Sequence, residues 1–136
     1  MASEFTWPVR VYYEDTDAGG VVYYANYLRF MERARTEWLR AKGFEQDQLR
    51  DQAGIVFVVR QVQLDYLRPA RFNQALEVSV AMCETRRASL SLEQEVRGPD
   101  TKPCCRGRVK LACVDAQRFR PAPIPPDLMR KLLDVE

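Results

Sequence analysis

The residues with the clearest chemical potential lie in one acidic turn, DTDAGG, at residues 15–20. Its two aspartates, Asp15 and Asp17, are expected to be ionised at neutral pH, because an unperturbed aspartate has a pKa of about 3.9. Such a carboxylate can attack an activated carbonyl, or take a proton from water, without a partner base. Aspartates and glycines also form turns and cap helices, and the spacing alone favours that structural role. A catalytic role therefore needs support from the surrounding sequence.

The chain contains no histidine among its 136 residues, and this restricts the chemistry available to it. Ser-His-Asp catalysis, Cys-His catalysis and most catalytic zinc sites are excluded, because each needs an imidazole. Four cysteines are present without C-x-x-C spacing: Cys83, Cys104, Cys105 and Cys113. We expect these thiols to be structural, and we expect neither a metal nor a cofactor. A hydrolase of this composition must work with carboxylates, backbone N–H groups and water.

A long amphipathic helix is predicted directly after the acidic turn, ending near Gly43. Apolar residues recur along it at helical spacing: Tyr27, Phe30, Met31, Ala34, Trp38 and Leu39. This stripe indicates packing against a broad apolar surface. The first turn of a helix presents unpaired N–H groups and a partial positive charge, which can polarise a carbonyl oxygen. The aspartates precede the helix by a few residues, so a carboxylate and these N–H groups can approach the same substrate.

Alternation of apolar and polar residues predicts five strands. They are Phe5–Glu14, Ile55–Tyr66, Ala75–Cys83, Ser89–Val96 and Arg106–Val114, and a short helix follows at Asp127–Leu133. The first strand would bury the side carrying Phe5, Trp7, Val9, Val11 and Tyr13. One strand, one long helix and four successive antiparallel strands predict an α+β fold with the sheet wrapped on the helix. Open sheet edges and an outer face favour self-association, as a homodimer or homotetramer.

The composition is typical of a globular domain, with 46% apolar and 29% charged residues. We therefore expect one domain spanning residues 1–136. The net charge is +2 and charges of both signs are interleaved, which argues against nucleic-acid binding. The sequence shows neither a signal peptide nor an apolar run long enough to span a bilayer. We expect a cytoplasmic protein with reduced thiols and no membrane insertion.

The acidic turn is part of a longer motif, YEDTDAGGVVYYANY, at residues 13–27. This motif resembles the signature Y-x-D-x-D-x-x-G-x-V-[YF]-[HY]-x-N-Y of the 4-hydroxybenzoyl-CoA thioesterase family. The run VRVYYEDTDAGGVVYYANYLRFMERARTEWLR at residues 9–40 is similar to the Tol-Pal-associated acyl-CoA thioesterase branch. The likeness continues through YLRPA at residues 66–70 and RRASL at residues 86–90, and it covers almost the whole chain. The resemblance implies a hotdog fold, with the sheet wrapped around one central helix, and thioester hydrolysis.

The resemblance also implies roles for residues of the motif. The catalytic carboxylate falls on Asp17, and the backbone N–H that polarises the thioester carbonyl falls on Tyr24. Gly20 and Val21, between them, are implied in substrate binding, and Asp15 is a structural residue of the turn. Asp17 would act as a nucleophile through a mixed anhydride, or as a general base toward water, and both routes stay open. The Tyr24 position is commonly histidine in the closer branch, so any acid–base role of that histidine has no counterpart here.

Residues further along the chain are implied in binding the rest of the substrate. Arg86 and Arg87 match positions near the CoA nucleotide, and guanidinium groups suit phosphates. The ordinary alternative is an arginine pair that is simply solvated. Residues 55–59, and Val58 above all, are expected to line the acyl pocket, with sheet core as the alternative. The predicted substrate is a short- or medium-chain acyl-CoA, with an aromatic acyl group or an acyl carrier protein donor as variants.

Two other functions are alternatives to hydrolysis. A non-catalytic hotdog protein would bind acyl-CoA or act as a scaffold for envelope and lipid-synthesis partners, although the retained Asp17 argues against a scaffold alone. A hotdog dehydratase or hydratase would need a catalytic histidine, which this chain lacks.

Overall fold

The chain folds as one long helix packed against an antiparallel sheet. The structure, a computed structural model, describes residues 4–133, so three residues at each end of the predicted domain lie outside the described range. The strands are β1 Glu4–Arg10, β2 Ile55–Tyr66, β3 Ala75–Arg86, β4 Ser89–Arg97 and β5 Pro103–Asp115. The helices are α1 Asn26–Ala41, the short α2 Gln46–Gln48 and α3 Pro126–Leu133. None of these helices is long and apolar enough to cross a membrane.

The five strands form one sheet in the order β1-β3-β4-β5-β2, with every neighbouring pair antiparallel. The predicted α+β architecture is therefore confirmed. Strand β2 has its predicted bounds, whereas β3, β4 and β5 extend beyond theirs. Strands β1 and β2 form the two edges of the sheet.

The predicted apolar stripe of α1 lies at the centre of the core. All six of its residues are buried, and Phe30 and Met31 are completely inaccessible to solvent. Full burial of each such side chain contributes about 1.5–3 kcal/mol to folding. Gly107 of β5 leaves room for the side chains of Leu64 on β2 and Met31 on α1. A Cβ at that position would overlap the Leu64 side chain and lie 3.3 Å from Met31 Cε.

A charged side chain, Arg35, also lies on the buried side of α1 and is only 8% exposed. Its Nη1 donates to Oε1 of Gln94 on β4 at 3.0 Å. Gln94 is completely buried, and its Nε2 donates to the carbonyls of Met31 at 3.1 Å and Ser79 at 3.3 Å. Burial lowers the pKa of Arg35. The Gln94 amide therefore links α1 to β3 and satisfies the buried guanidinium at the same time.

The first strand is shorter than predicted, because it ends four residues before Glu14. Oδ2 of Asp15 accepts the N–H of Tyr12 at 2.8 Å, and the chain enters a 3-10 turn instead of continuing as a strand. Tyr13 is consequently 78% exposed, so the prediction that it lies on the buried face was wrong. Its ring stacks on Phe72, with the ring centroids 3.9 Å apart.

Sequence reasoning missed α2 and the π-helical turn that follows it, Leu49–Ala53. Only Leu49 is buried in these two elements, so no apolar period marks them. Gly54 follows in the left-handed region with φ 70°, a conformation natural to glycine, and the chain then enters β2.

The outer face of the sheet is polar rather than apolar. Cross-strand ion pairs cover part of it, with Glu95 Oε2 2.8 Å from Arg106 Nε and Glu4 Oε2 2.7 Å from Arg97 Nη2. Edge strand β2, by contrast, has no neighbour from residues 4–133 along one side of its 12 residues. Long open edges of this kind favour pairing with another chain.

Candidate active site

Asp15 holds the acidic turn together from a buried position, with 3% of its surface exposed. Besides accepting the Tyr12 N–H through Oδ2, it accepts Nδ2 of Asn26 through Oδ1 at 2.8 Å. Its backbone carbonyl accepts the N–H of Tyr23, also at 2.8 Å. These contacts tie the turn to the chain that enters α1, and they give Asp15 a structural role. Sequence reasoning missed Asn26 in this network, although it is one of the motif's fixed positions.

Asp17 lies at the exposed tip of the same turn. Its N–H donates to the Val21 carbonyl at 2.9 Å, and its carbonyl accepts the N–H of Gly20 at 3.0 Å. Gly20 has φ 78°, which allows this tight reversal. The carboxylate accepts the Gly19 N–H through Oδ1 at 2.8 Å, and Oδ2 has no donor among residues 4–133. One oxygen is thus oriented by the backbone while the other is available to water or a substrate.

Tyr24 lies one residue before the N-cap of α1, Ala25. The carbonyl of Tyr23 accepts the Asn26 N–H at 2.8 Å, which fixes the peptide unit that carries the Tyr24 N–H. The Tyr24 carbonyl accepts the hydroxyl of Tyr66 at 3.0 Å. The Tyr24 N–H itself has no acceptor within the described part of the chain. A held but unpaired N–H at a helix start is suited to bind a carbonyl oxygen and the oxyanion formed from it.

A cluster of tyrosines surrounds this N–H. The Tyr24 ring is 63% exposed, and its centroid lies 4.7 Å from that of Tyr23 and 6.4 Å from that of Tyr66. The hydroxyl of Tyr27 accepts the N–H of Ala70 at 3.0 Å and so fixes the segment after β2. Burial raises the pKa of Tyr27 and of Tyr66. Both phenols therefore stay protonated at neutral pH, as donation from Tyr66 requires.

The residues implied in binding the rest of the substrate, Val58, Arg86 and Arg87, lie at the end of the sheet opposite to the acidic turn. Val58 pairs with Ala112, Ala112 with Ser89, and Ser89 with Arg86, so these residues form one row across four strands. The end of β2 nearest Tyr24 is instead Tyr66. The eight residue steps from Val58 to Tyr66 span about 26 Å at the usual strand rise. One protomer therefore brings together the acidic turn and the start of α1, with Asp17, Gly20, Val21 and Tyr24. It places Val58, Arg86 and Arg87 at the other end of the sheet.

Cysteine and metal chemistry find no support in the described residues. Burial raises the pKa of Cys105 to about 12 and that of Cys113 to about 11, so both thiols are protonated and poor nucleophiles. Among residues 4–133, no three His, Cys, Asp or Glu side chains are grouped as metal ligands would be. Asp17, in contrast, has an exposed carboxylate with one oxygen that accepts no hydrogen bond from residues 4–133.

Comparison with known proteins identifies relatives over nearly the full chain. An acyl-CoA thioesterase from Haemophilus influenzae, YbgC, is 43% identical over 124 residues, which are 91% of this chain and 90% of that protein. A probable thioesterase from Bartonella henselae superposes with a TM-score of 0.84 at 30% identity, covering 90% of this chain and all of that one. A 1,4-dihydroxy-2-naphthoyl-CoA thioesterase from Synechocystis shares the fold, with a TM-score of 0.89 at 20% identity and 97% of each chain covered.

The sequence profile of the thioesterase-like superfamily matches residues 11–132. The match includes the acidic turn, all of α1 and the strands from β2 to β5. The family and the hotdog fold implied by the motif are therefore confirmed, and the chain belongs to the thioesterase-like superfamily.

Proposed function

We propose that this chain hydrolyses acyl-CoA thioesters to a free acid and CoA, with Asp17 as the catalytic carboxylate and the Tyr24 N–H as the oxyanion donor. The observation that carries the proposal is one hydrogen-bonded turn that holds an exposed carboxylate, Asp17, and leads into an N–H without an acceptor in residues 4–133, that of Tyr24. The relative from Haemophilus influenzae, an acyl-CoA thioesterase, supports the substrate class.

The N–H of Tyr24 would bind the thioester carbonyl oxygen at the start of α1. Attack on the carbonyl carbon places negative charge on that oxygen, and a fixed N–H with the helix dipole behind it stabilises the charge. Because the donor is oriented before the substrate arrives, little reorganisation is needed during the reaction. Loss of one such donor typically costs about 10²–10³ in turnover.

Two routes balance the remaining chemistry at Asp17. As a nucleophile, its carboxylate forms a mixed anhydride and expels the CoA thiolate, which takes a proton from water; hydrolysis of the anhydride then releases the acid and restores the carboxylate. As a general base, it removes a proton from water while the resulting hydroxide attacks, and the proton then passes to the departing thiolate. The free Oδ2 of Asp17 serves either route, and neither requires histidine.

We further infer that the working form is a homodimer joined through the open edge of β2. In an antiparallel pair of β2 strands with its two-fold axis near Gln61, the first residues of one strand face the last residues of the other. The partner's Val58 then lies near Tyr66 and Tyr24, and the row that contains Arg86 approaches the same end. This arrangement reunites the residues that one protomer keeps apart. A homotetramer would preserve it, and sedimentation of the purified protein distinguishes the two states.

The test is a panel of acyl-CoAs of increasing chain length, with one aromatic acyl-CoA, assayed for released thiol. Wild type should hydrolyse short- or medium-chain members, and Asp17→Asn should lose at least about 10²-fold in kcat, the lower range for general base catalysis. Asp115→Asn is the matched control, because Asp115 Oδ1 accepts the N–H two residues ahead at 2.9 Å, as Asp17 does.

Absence of thiol release from every acyl-CoA would contradict the proposed activity and favour a binding or scaffolding protein. Near-normal turnover in Asp17→Asn would leave the activity standing and reject Asp17 as its catalytic carboxylate.

A further inference from the structure

A groove of about 490 Å³ includes Arg71, which is bridged to Val21 at the end of the acidic turn. It lies between the segment that follows β2 and the turn that connects β4 to β5. Its walls include Leu67, Arg68, Arg71, Gln74, Asp100 and Cys104. The sequence motif drew attention to the arginines of the β3–β4 turn and not to this groove.

The groove is close to Asp17 within the same protomer. Asp17 is hydrogen-bonded to Val21, and Val21 forms an isolated antiparallel bridge with Arg71. Adjacent strands lie about 4.8 Å apart, so two such steps place the backbone of Arg71 about 10 Å from that of Asp17. Arg86, by contrast, is at the far end of β3, about 36 Å from the strand's beginning at the usual rise per residue.

The charges in the groove leave one guanidinium available. Arg68 is committed to Asp100 through two hydrogen bonds of 2.8 and 2.9 Å, and it also donates to the Lys102 carbonyl at 3.2 Å. The Arg68 guanidinium lowers the pKa of Asp100 to about 2, so this pair stays ionised and holds the groove wall at neutral pH. Arg71 makes no ion pair with any carboxylate in residues 4–133.

The backbone of Arg71 is nonetheless fixed. Its N–H donates to Oε1 of Gln74 at 2.9 Å, and its carbonyl accepts the Gln74 N–H at 3.2 Å. Nη1 of Arg10 donates to the Asn73 carbonyl at 2.7 Å and adds a second positive charge to the same turn. The result is a rigid turn with an unneutralised guanidinium, which matches the geometry of a phosphate group.

We propose that Arg71 binds a phosphate of the group that carries the acyl thioester, while the thioester itself lies at Asp17. The inference rests on the proposed thioesterase function and deepens it. The ligand chemistry is a phosphate monoester or diester attached to a pantetheine arm, which both CoA and an acyl carrier protein supply. Because Arg71 and Asp17 lie about 10 Å apart along the backbone bridges of one protomer, the contact needs no second protomer.

The experiment compares three thioesters with one acyl group: acyl-CoA, acyl-phosphopantetheine and acyl-N-acetylcysteamine, which has no phosphate. Arg71→Gln should raise KM for acyl-CoA about tenfold or more, the range for a lost hydrogen bond to a charged group, and leave kcat unchanged. Kinetics with acyl-N-acetylcysteamine should match wild type. Arg71→Lys should recover part of the affinity. Arg130→Gln, on α3, is the matched control, because Arg130 is also exposed and makes no ion pair in residues 4–133.

The two phosphate-bearing substrates locate the contact. A defect with both places Arg71 on the phosphate next to the pantetheine arm, and a defect with acyl-CoA alone places it on the nucleotide phosphates; either result supports the inference. An unchanged KM for acyl-CoA, or an equal defect with all three thioesters, would overturn it. Calorimetric binding of free CoA to wild type and Arg71→Gln tests the contact even if no thioester is hydrolysed, so failure of the two proposals can be told apart.

Discussion

Removing the side-chain amide of Asn26 should destabilise the acidic turn more than neutralising Asp15. Asn26 and Asp15 are 6% and 3% exposed, and the Nδ2 to Oδ1 distance between them is 2.8 Å. In Asn26→Ala this oxygen stays buried without its donor, and a hydrogen bond to a charged group is worth about 1.5–3 kcal/mol. Alanine in the first turn of α1 returns up to about 0.7 kcal/mol of helix propensity. The free energy of unfolding should therefore fall by about 1–2.5 kcal/mol.

Asp15→Asn is the matched comparison, because it keeps the shape of the side chain. Its amide oxygen can still accept the Tyr12 N–H, and its NH₂ can donate to Asn26 once the Asn26 amide has rotated to present its oxygen. Both hydrogen bonds then survive as neutral bonds of about half the strength. The weaker bonds are offset because the neutral side chain avoids the cost of burying a carboxylate, so the expected net loss in the free energy of unfolding is about 1 kcal/mol or less.

Urea denaturation measures both variants, with an unchanged m-value as the sign that only stability has changed. Turnover of acyl-CoA provides a second readout, because the same network orients the Tyr24 N–H and Asp17, and kcat should fall in Asn26→Ala. A wild-type urea midpoint for Asn26→Ala would refute the stabilising role of the buried donor. A larger loss for Asp15→Asn than for Asn26→Ala would refute the rotation of the amide.

Two further substitutions test contacts that the motif does not reveal. Tyr66→Phe removes the hydroxyl that donates to the Tyr24 carbonyl at 3.0 Å. Because Tyr66 is half exposed, we expect a two- to fivefold loss of kcat with KM unchanged, which corresponds to about 0.5–1 kcal/mol. The control is Tyr13→Phe, because the Tyr13 hydroxyl is exposed and has no partner in residues 4–133, so its loss should leave kcat and KM unchanged. Equal effects of the two substitutions would reject a positioning role for Tyr66. Gln94→Leu leaves the buried Arg35 guanidinium without its acceptor, and urea denaturation should show a loss of about 3–5 kcal/mol; a loss below 1 kcal/mol would mean that water replaces the amide.

Secondary structure could be predicted where burial follows a simple period. Helix α1 and strand β5 have this property, since buried positions recur along each at the regular spacing of its secondary structure and face one continuous core. The chain between Tyr12 and Asp15 does not, because a single carboxylate–N–H contact ends the strand that alternation would have continued. The same holds for α2 and its π-helical turn, in which one buried leucine fixes the path.

The candidate site was only partly accessible from the sequence, for a topological reason. Asp17 and Tyr24 are close in the chain and remain close in the structure, because the turn between them is closed by its own hydrogen bonds. Tyr66 lies 42 residues beyond Tyr24 and meets it only because β2 ends beside the start of α1. No periodicity in the sequence predicts a contact between residues so far apart in the chain. A family motif can indicate this contact only when both residues recur in it.

For the residues implied in substrate binding, the sequence misleads in the other direction. The resemblance assigns Val58, Arg86 and Arg87 to the same site as Asp17, whereas the sheet of one protomer separates them from it. Antiparallel order forces the start of β2 and the β3–β4 turn to the end of the sheet away from Asp17. If Arg86 and Arg87 bind the carrier, they must do so from a second copy, whereas Arg71 can do so within one chain. Calorimetric binding of free CoA to a protein with a dimer-disrupting change on the β2 edge therefore separates the two contributions: the change should abolish the effect of Arg86→Gln on affinity and preserve the effect of Arg71→Gln.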